Sequence, residues 1–401
     1  MGDPLDSLDF ADGKRLAIVE DDDGLAAVPM VCDPSGRWRR AVAGDGVAEA
    51  LLRLLAERPG ESVSGSFTAQ SWADRIALGE RSVGVDQTNE SVIVGDTAVV
   101  KWAAHLQDGP HPAPHRIAVL RAAGFAGMPA PWGLVTWRPP NGEETLAVSV
   151  DEYLPGAVDG WTWAVDAVTE AVCGDHPDPA IDTAHEVGTL VAELHGALAG
   201  TVTVASREDA GRWRDAARRV LDVVCALPDS PSVATARERG DEIASVLDRL
   251  GTLAGTAVLD GHGDLHVGQV LRSGGRFVVT DFDGNPVLES HERMRPIPAA
   301  LDVAGMTQSL AHAAIVAAKY TDLDPDVLRE VDTSMRRTFL TTYRTRITEL
   351  GHAGLFDDTA LYPFRVQQAL REIVYAARHL TRWMYVPDAA LPALLDEGDH
   401  L

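Results

Sequence analysis

The sequence predicts an α+β protein whose strands gather before residue 154 and whose helices fill most of the rest. Three observations carry that expectation. Short apolar runs broken by Asp-Gly, Pro-Ser-Gly and Gly-Asp turns recur up to Tyr153, the pattern of antiparallel strands. Beyond Gly156, apolar residues recur at spacings of three and four, the pattern of amphipathic helices. One hairpin signal, Ser273-Gly274-Gly275 between Val270-Leu271 and Phe277–Thr280, interrupts the helical part.

Residues 1–85 read as a small mixed module. Strands are expected over Arg15–Glu20, Ala26–Cys32 and Trp38–Val42. A helix follows, with Val47, Leu51, Leu52, Leu54 and Leu55 on a broad apolar face, and then a strand at Ser66–Ala69. Residues 86–154 read as a second, sheet-based segment. After the turn Gln87-Thr88-Asn89-Glu90, a hairpin of Ser91–Val94 and Ala98–Trp102 reverses at Gly95-Asp96 and carries Lys101 on its second strand. The helix expected near Ala113–Ala123 has no acidic residue. Glu144–Tyr153 is the last strand, and Leu154-Pro155-Gly156 the exit. Residues 155–401 are mostly helical, with helices at His185–Leu198, Arg207–Leu227, Asp241–Leu253, Leu301–Ala318, Pro325–Leu350 and Thr359–Leu380.

The chain has 401 residues, 45% of them hydrophobic, enough for two or three parts with cores of their own. Its 60 acidic residues against 35 basic ones give a formal charge of −25. Nucleic acid and anionic membranes are therefore not expected partners, since both call for basic surface. A neutral or cationic small substrate is compatible with that charge. Cys32, Cys173 and Cys225 are too widely spaced for a zinc site or a disulfide framework. Met1–Asp12 is acidic and lacks the apolar stretch of a signal peptide, and no run reaches the length of a membrane span. A soluble, cytoplasmic protein, monomer or dimer, is expected.

The densest chemistry lies between residues 257 and 283. The apolar run Ala257–Leu259 leads into His262-Gly263-Asp264-Leu265-His266-Val267-Gly268-Gln269; the hairpin comes next, and its returning strand ends at Asp281-Phe282-Asp283. One carboxylate, an amide five residues on, and a second carboxylate at a strand exit suit phosphoryl transfer from ATP. Asp264 would orient the acceptor hydroxyl and take its proton. Gln269 and Asp281 would hold Mg²⁺, a hard cation that takes oxygen ligands, with Asp283 an additional metal group.

This segment resembles the catalytic and metal-binding loops of the aminoglycoside phosphotransferase-like kinases. Within them it is most similar to the actinobacterial maltokinases and their maltokinase-like relatives that phosphorylate glucosamine. Those carry His-Gly-Asp-Leu-His-x-Gly-Gln followed by Asp-Phe-Glu/Asp-Gly-x-Pro, and this chain reads His262–Gln269 and Asp281-Phe282-Asp283-Gly284-Asn285-Pro286. The resemblance implies a two-lobed protein-kinase-like fold with an N-terminal cap subdomain. It also implies that Lys101 steadies the ATP phosphates, that Thr88 and Asn89 cover them, and that the backbone between Ser149 and Glu152 holds adenine. The family's lysine pairs with a glutamate near the positions of His115 or Arg116, and here there is none.

Acceptor contacts are expected from His266, Asp302, Glu372, Tyr375, Arg378, His379 and Trp383. Glu372, Tyr375 and His379 fall at i, i+3 and i+7 of one helix, and carboxylates with aromatic faces are what a sugar needs. Asp302 reads equally as a helix N-cap. Maltokinases have a Glu-x-x-Tyr-Glu-x-Arg-x-Arg-Pro-x-Trp type run where this chain has Glu372 to Trp383. Ala376 replaces the second glutamate, and Thr381-Arg382 stands before the tryptophan in place of Pro-Asp. Asp283, for glutamate, and Leu301, for arginine, are further departures. The resemblance therefore implies a glucosamine kinase making glucosamine 6-phosphate. A maltokinase making maltose 1-phosphate, an aminoglycoside phosphotransferase and a nucleotide-binding pseudokinase are the alternatives.

Overall fold

The computed structural model describes residues 3–21, 24–83, 90–107, 109–140, 142–174 and 178–400. The chain divides into two compact units. The first comprises Met1–Ala122, Met128–Gly156 and Asp281–Arg295; the second comprises Ala123–Gly127, Ala157–Thr280 and Pro296–Leu401.

In the first unit β1 (Asp6–Asp9), β2 (Lys14–Asp21), β3 (Gly24–Cys32) and β4 (Trp38–Arg40) form an antiparallel sheet in that order. Helix α1 (Val47–Glu57) buries Val47, Leu51, Leu52 and Leu55. The remaining strands are β5 (Gly60–Ser64), β6 (Phe67–Ser71), β7 (Glu80–Ser82), β8 (Glu90–Val94) and β9 (Ala98–Trp102), then, after helix α2 (Pro112–Ala122), β10 (Pro131–Trp137) and β11 (Thr145–Glu152). They make one sheet ordered β5-β6-β10-β11-β9-β8-β7. Along β9, Ala98, Val100 and Trp102 are buried while Val99 and Lys101 alternate to the other face. Gly95 (φ 59°) and Asp96 (φ 50°) form the β8–β9 turn expected from the sequence, both with the positive φ that a tight hairpin demands.

The expected boundary at residue 85 does not divide this unit. Strands β5, β6 and β7 lie inside the seven-stranded sheet, and one core joins Leu16, Ile18, Leu51 and Leu52 to Val92, Val100, Trp102 and Val148. Strand β10 went unforeseen because six of its seven residues are buried, which erases the alternation that marks a half-buried strand.

The second unit holds α3 (Gly160–Cys173), α4 (Asp178–Ala197), β12 (Thr203–Val204), α5 (Arg207–Cys225), α6 (Pro231–Glu238) and α7 (Gly240–Asp248), then β13 (Ala257–Val258) and the hairpin β14 (Val270–Ser273) and β15 (Arg276–Val279). The chain returns to the first unit for Asp281–Arg295, which ends in the short helix α8 (Ser290–Arg293). It then completes the second with α9 (Ala299–Tyr320), α10 (Pro325–Glu349), α11 (Leu361–His379) and α12 (Tyr385–Glu397). Helix α3 was not foreseen. It is started by Asp159, whose carboxylate accepts from the Thr162 N–H at 3.1 Å. Helix α12 was hidden by Pro387 and by Pro392 in its interior.

Candidate active site

The His262–Gln269 loop belongs to the second unit and is fixed from below by Asp302 on α9. Asp302 is fully buried, and its carboxylate accepts from the main-chain N–H groups of His262 (2.7 Å) and Gly263 (2.8 Å). The His195 ring on α4 donates to the same carboxylate through Nε2 at 3.3 Å, and its Nδ1 lies 2.8 Å from the Tyr343 hydroxyl on α10. Burial opposes ionisation of Asp302. The bond and charge of His195, together with His262 and the Gly263 N–H, outweigh it and hold the carboxyl below its ordinary value. The expectation of a sugar contact or an N-cap is therefore corrected. Both oxygens are engaged inside the protein, the N-cap position belongs to Pro298, and Asp302 lies within the first turn of α9.

Above this anchor His262 adopts one tautomer. Its Nε2–H donates to the Thr280 carbonyl (3.0 Å), and its Nδ1 accepts from the Asp264 N–H (3.3 Å). Two helical glycines press on the loop. A Cβ on Gly160 would stand 1.6 Å from the Val267 carbonyl oxygen, and one on Gly305 2.4 Å from that of Leu265. Gln269 is held by its main chain, which donates to the His266 carbonyl (2.9 Å) and accepts from the Thr280 N–H (2.8 Å). Its side-chain amide makes no hydrogen bond among the described residues.

The Asp264 side chain keeps 20% of its surface exposed. His266 Nδ1 accepts from the Gly268 N–H at 3.1 Å, which puts the ring proton on Nε2, 4.0 Å from Asp264 Oδ2. On α11, Glu372 accepts from the Gln368 amide (3.0 Å), and its other oxygen lies 2.8 Å from His312 Nδ1. Burial acts to raise its carboxyl, but the neighbouring His312, Gln368 and His266 hold it below the usual range. Arg371 is pushed below its ordinary value by burial, against the charges of Asp264 and Glu372. Asp264, His266, Arg371 and Glu372 thus form one electrostatic neighbourhood. Trp383 meets Trp161 edge-on at 5.1 Å, and a Cβ on Gly268 would lie 3.2 Å from Trp161 Nε1, so Trp161 adjoins the His262–Gln269 loop and Trp383 packs on Trp161. Tyr375 is exposed and packs on His379 at 5.4 Å; Arg378 is exposed as well. Trp161, Arg371 and His312 escaped the sequence reading. Each lies far along the chain from the loop, and nothing local marks it.

In the first unit Lys101 lies opposite Ser149 on β11, with Asp151 opposite Val99, so Asp151 is its diagonal neighbour on one face of the sheet. Burial raises the Asp151 carboxyl, and the charge of Lys101 and the Ser149 hydroxyl resist the shift. Asp151 is thus one acid in the neighbourhood of Lys101, and α2 supplies none. The main chain of Ser149–Glu152 pairs with both β9 and β10, and the Glu152 N–H donates to the Ala130 carbonyl at 2.8 Å. Ser149, Val150 and Asp151 therefore have strand partners on both sides, and Glu152 pairs with Ala98 at the end of the strand. Thr88 and Asn89 lie outside the described residues.

Asp281 sits at φ 63°, one of three described non-glycine residues with positive φ. Asp283 is raised to about 7, first by burial and then by the charge of Asp281; Lys101, Arg293 and Arg116 pull the other way. Asp281 and Asp283, two residues apart on one turn, supply the hard carboxylate oxygens that Mg²⁺ takes, so the residues fit that cation.

No protein-family model matches the chain. It is 59% identical over 395 residues to the glucosamine kinase of Mycolicibacterium smegmatis (strain ATCC 700084 / mc(2)155), covering 98% of both chains. It is 44% identical over 398 residues to the glucosamine kinase of Streptacidiphilus jiangxiensis, covering 97% of this chain and 90% of that one. A solved glucosamine kinase in complex with glucosamine, ADP and inorganic phosphate superposes with a TM-score of 0.88 at 42% identity, covering 98% of this chain and 93% of that one. The kinase-like α+β fold expected from the sequence is the fold observed. With relatives this similar along nearly the whole chain, and with Asp264, Gln269 and Asp281 in their expected motifs, the protein belongs to the glucosamine kinase family.

Proposed function

We propose that this chain transfers the γ-phosphoryl group of ATP to a hydroxyl of glucosamine, giving glucosamine 6-phosphate and ADP. The observation that carries the reading is the 59% identity to a glucosamine kinase over 98% of both chains. The acceptor hydroxyl attacks the γ-phosphorus, the bond from that phosphorus to the β–γ bridging oxygen breaks, and the hydroxyl proton passes to Asp264. Gln269, Asp281 and Asp283 are the proposed ligands of Mg²⁺, which when bound neutralises phosphate charge. Lys101 steadies the phosphates. Glu372, kept anionic by His312, is the carboxylate we assign to the protonated amine, and His266 and Trp383 complete the acceptor side. Most of the acceleration then comes from positioning and charge rather than from covalent chemistry.

Among the described residues no helix is long and apolar enough to cross a membrane. Three unpaired cysteines and a need for ATP fit the reducing cytoplasm. The test is ADP release from Mg-ATP with glucosamine, glucose, maltose, N-acetylglucosamine and an aminoglycoside. Turnover should be strongest with glucosamine and weak with N-acetylglucosamine, whose amide carries no charge for Glu372. A preference for maltose or the aminoglycoside, or no turnover at all, would refute the reading.

A further inference from the structure

Helix α2 has no acid to offer a lysine; it offers Arg116. This side chain is only 4% exposed, and a guanidinium taken so far out of water persists only where its charge and donors are used. Its Nη1 donates to the Phe282 carbonyl and its Nη2 to the Arg293 carbonyl, both at 2.9 Å. Arg293, itself 6% exposed, donates to the Gln107 side chain and, at 3.5 Å, to the Asp283 carbonyl. Arg116 thus ties the turn that carries Asp281 and Asp283, through Phe282, to the end of α8, and Arg293 adds a contact to the turn at Asp283.

Two backbone features show how closely the turn is fitted to this grip. Gly284 has φ 72°, and a Cβ there would stand 3.1 Å from Arg116 Nη1, so a glycine lets the guanidinium approach. Asp281, at φ 63°, holds a left-handed conformation that is unfavourable for a non-glycine residue and persists where its surroundings enforce it. Phe282 between the two acids is 6% exposed, so the turn buries its apolar residue.

We propose that Arg116 is a positioning residue for phosphoryl transfer: by holding the Phe282 and Arg293 carbonyls, it keeps the Asp281–Asp283 turn in the form that binds the divalent cation accompanying the nucleotide. The inference rests on the proposed kinase activity. It makes the turn ready in the nucleotide-free protein, independent of any acid from α2.

The test is calorimetric binding of ADP to the full chain, with Mg²⁺ titrated and with EDTA, for the wild type, R116K, R116M and G284A. Wild-type binding should tighten with Mg²⁺; if it does not, the metal-dependent reading and this inference fall together. In R116M the Mg²⁺ needed for half the tightening should rise about 10- to 100-fold, with a smaller rise in R116K and G284A. ADP affinity in EDTA should stay within about twofold, and kcat should fall while the glucosamine KM holds. A folded R116K or G284A with wild-type Mg²⁺ dependence overturns the inference and leaves the kinase reading standing. So does an equal loss of ADP affinity with and without Mg²⁺. Failure of all three variants to fold also overturns it, because Arg116 would then be a strut of the whole unit.

Discussion

Replacing Asp302 with asparagine should be among the most damaging isosteric changes available in the second unit. The carboxylate accepts three hydrogen bonds, from His262 N–H, Gly263 N–H and His195 Nε2, at 2.7, 2.8 and 3.3 Å. An amide of the same shape keeps one acceptor oxygen and turns an NH₂ group towards a donor in a fully buried place. Each bond to a charged acceptor is worth about 1.5–3 kcal/mol, and a buried donor left facing a donor costs about 1–3 kcal/mol. A loss of about 3–5 kcal/mol results, or a melting temperature lower by about 6–10 °C. The loop carrying Asp264 loses its floor as well, and a displacement of about 1 Å at the reacting groups costs about 100-fold in rate. Differential scanning fluorimetry and steady-state ADP release on one preparation measure both effects. An Asp302→Asn protein that melts within about 2 °C of wild type and keeps half its kcat would show that the loop is held by something else.

Three further outcomes rest on the same geometry. Asp264→Asn should bind Mg-ADP normally in calorimetry yet lose about 10²- to 10⁴-fold in kcat, the range expected for loss of a general base. Glu372→Gln should raise the glucosamine KM about 10- to 100-fold and narrow the preference over glucose, read from kcat/KM for each sugar. His312 helps hold Glu372 below the ordinary carboxylate value, so the anion survives as pH falls until that lowered value is reached. His312→Gln should therefore move the acid limb of kcat/KM for glucosamine to higher pH, and an unmoved limb would remove Glu372 from amine recognition.

What could be read from the sequence was what lies close together along it. The Gly95-Asp96 and Gly274-Gly275 turns, the strands they join and the run from His262 to Asp283 each declare themselves within a few residues. The role of Asp302 did not, because its partners stand 39, 40 and 107 positions away. Asp151 gave no sign of serving Lys101, since their neighbourhood depends on the β9–β11 register across a connection that includes a helix and another strand. Helical spacing singled out Glu372, yet spacing could not show that its carboxyl is lowered by a histidine from a different helix. Strand β10 was hidden by burial on both faces, and helix α12 by its prolines.

The shared sheet of the first unit has a practical consequence for anyone hoping to trim this protein. A chain begun at residue 86 would lose β5 and β6 from the flank of β10 and β7 from the flank of β8, exposing two raw sheet edges. It would also strip Leu16, Ile18, Leu51 and Leu52 from a core they share with Val100 and Trp102. Open edges beside uncovered apolar surface are a template for aggregation. The first eighty-odd residues are accordingly no detachable accessory, and studies of minimal catalytic fragments should begin with the whole chain.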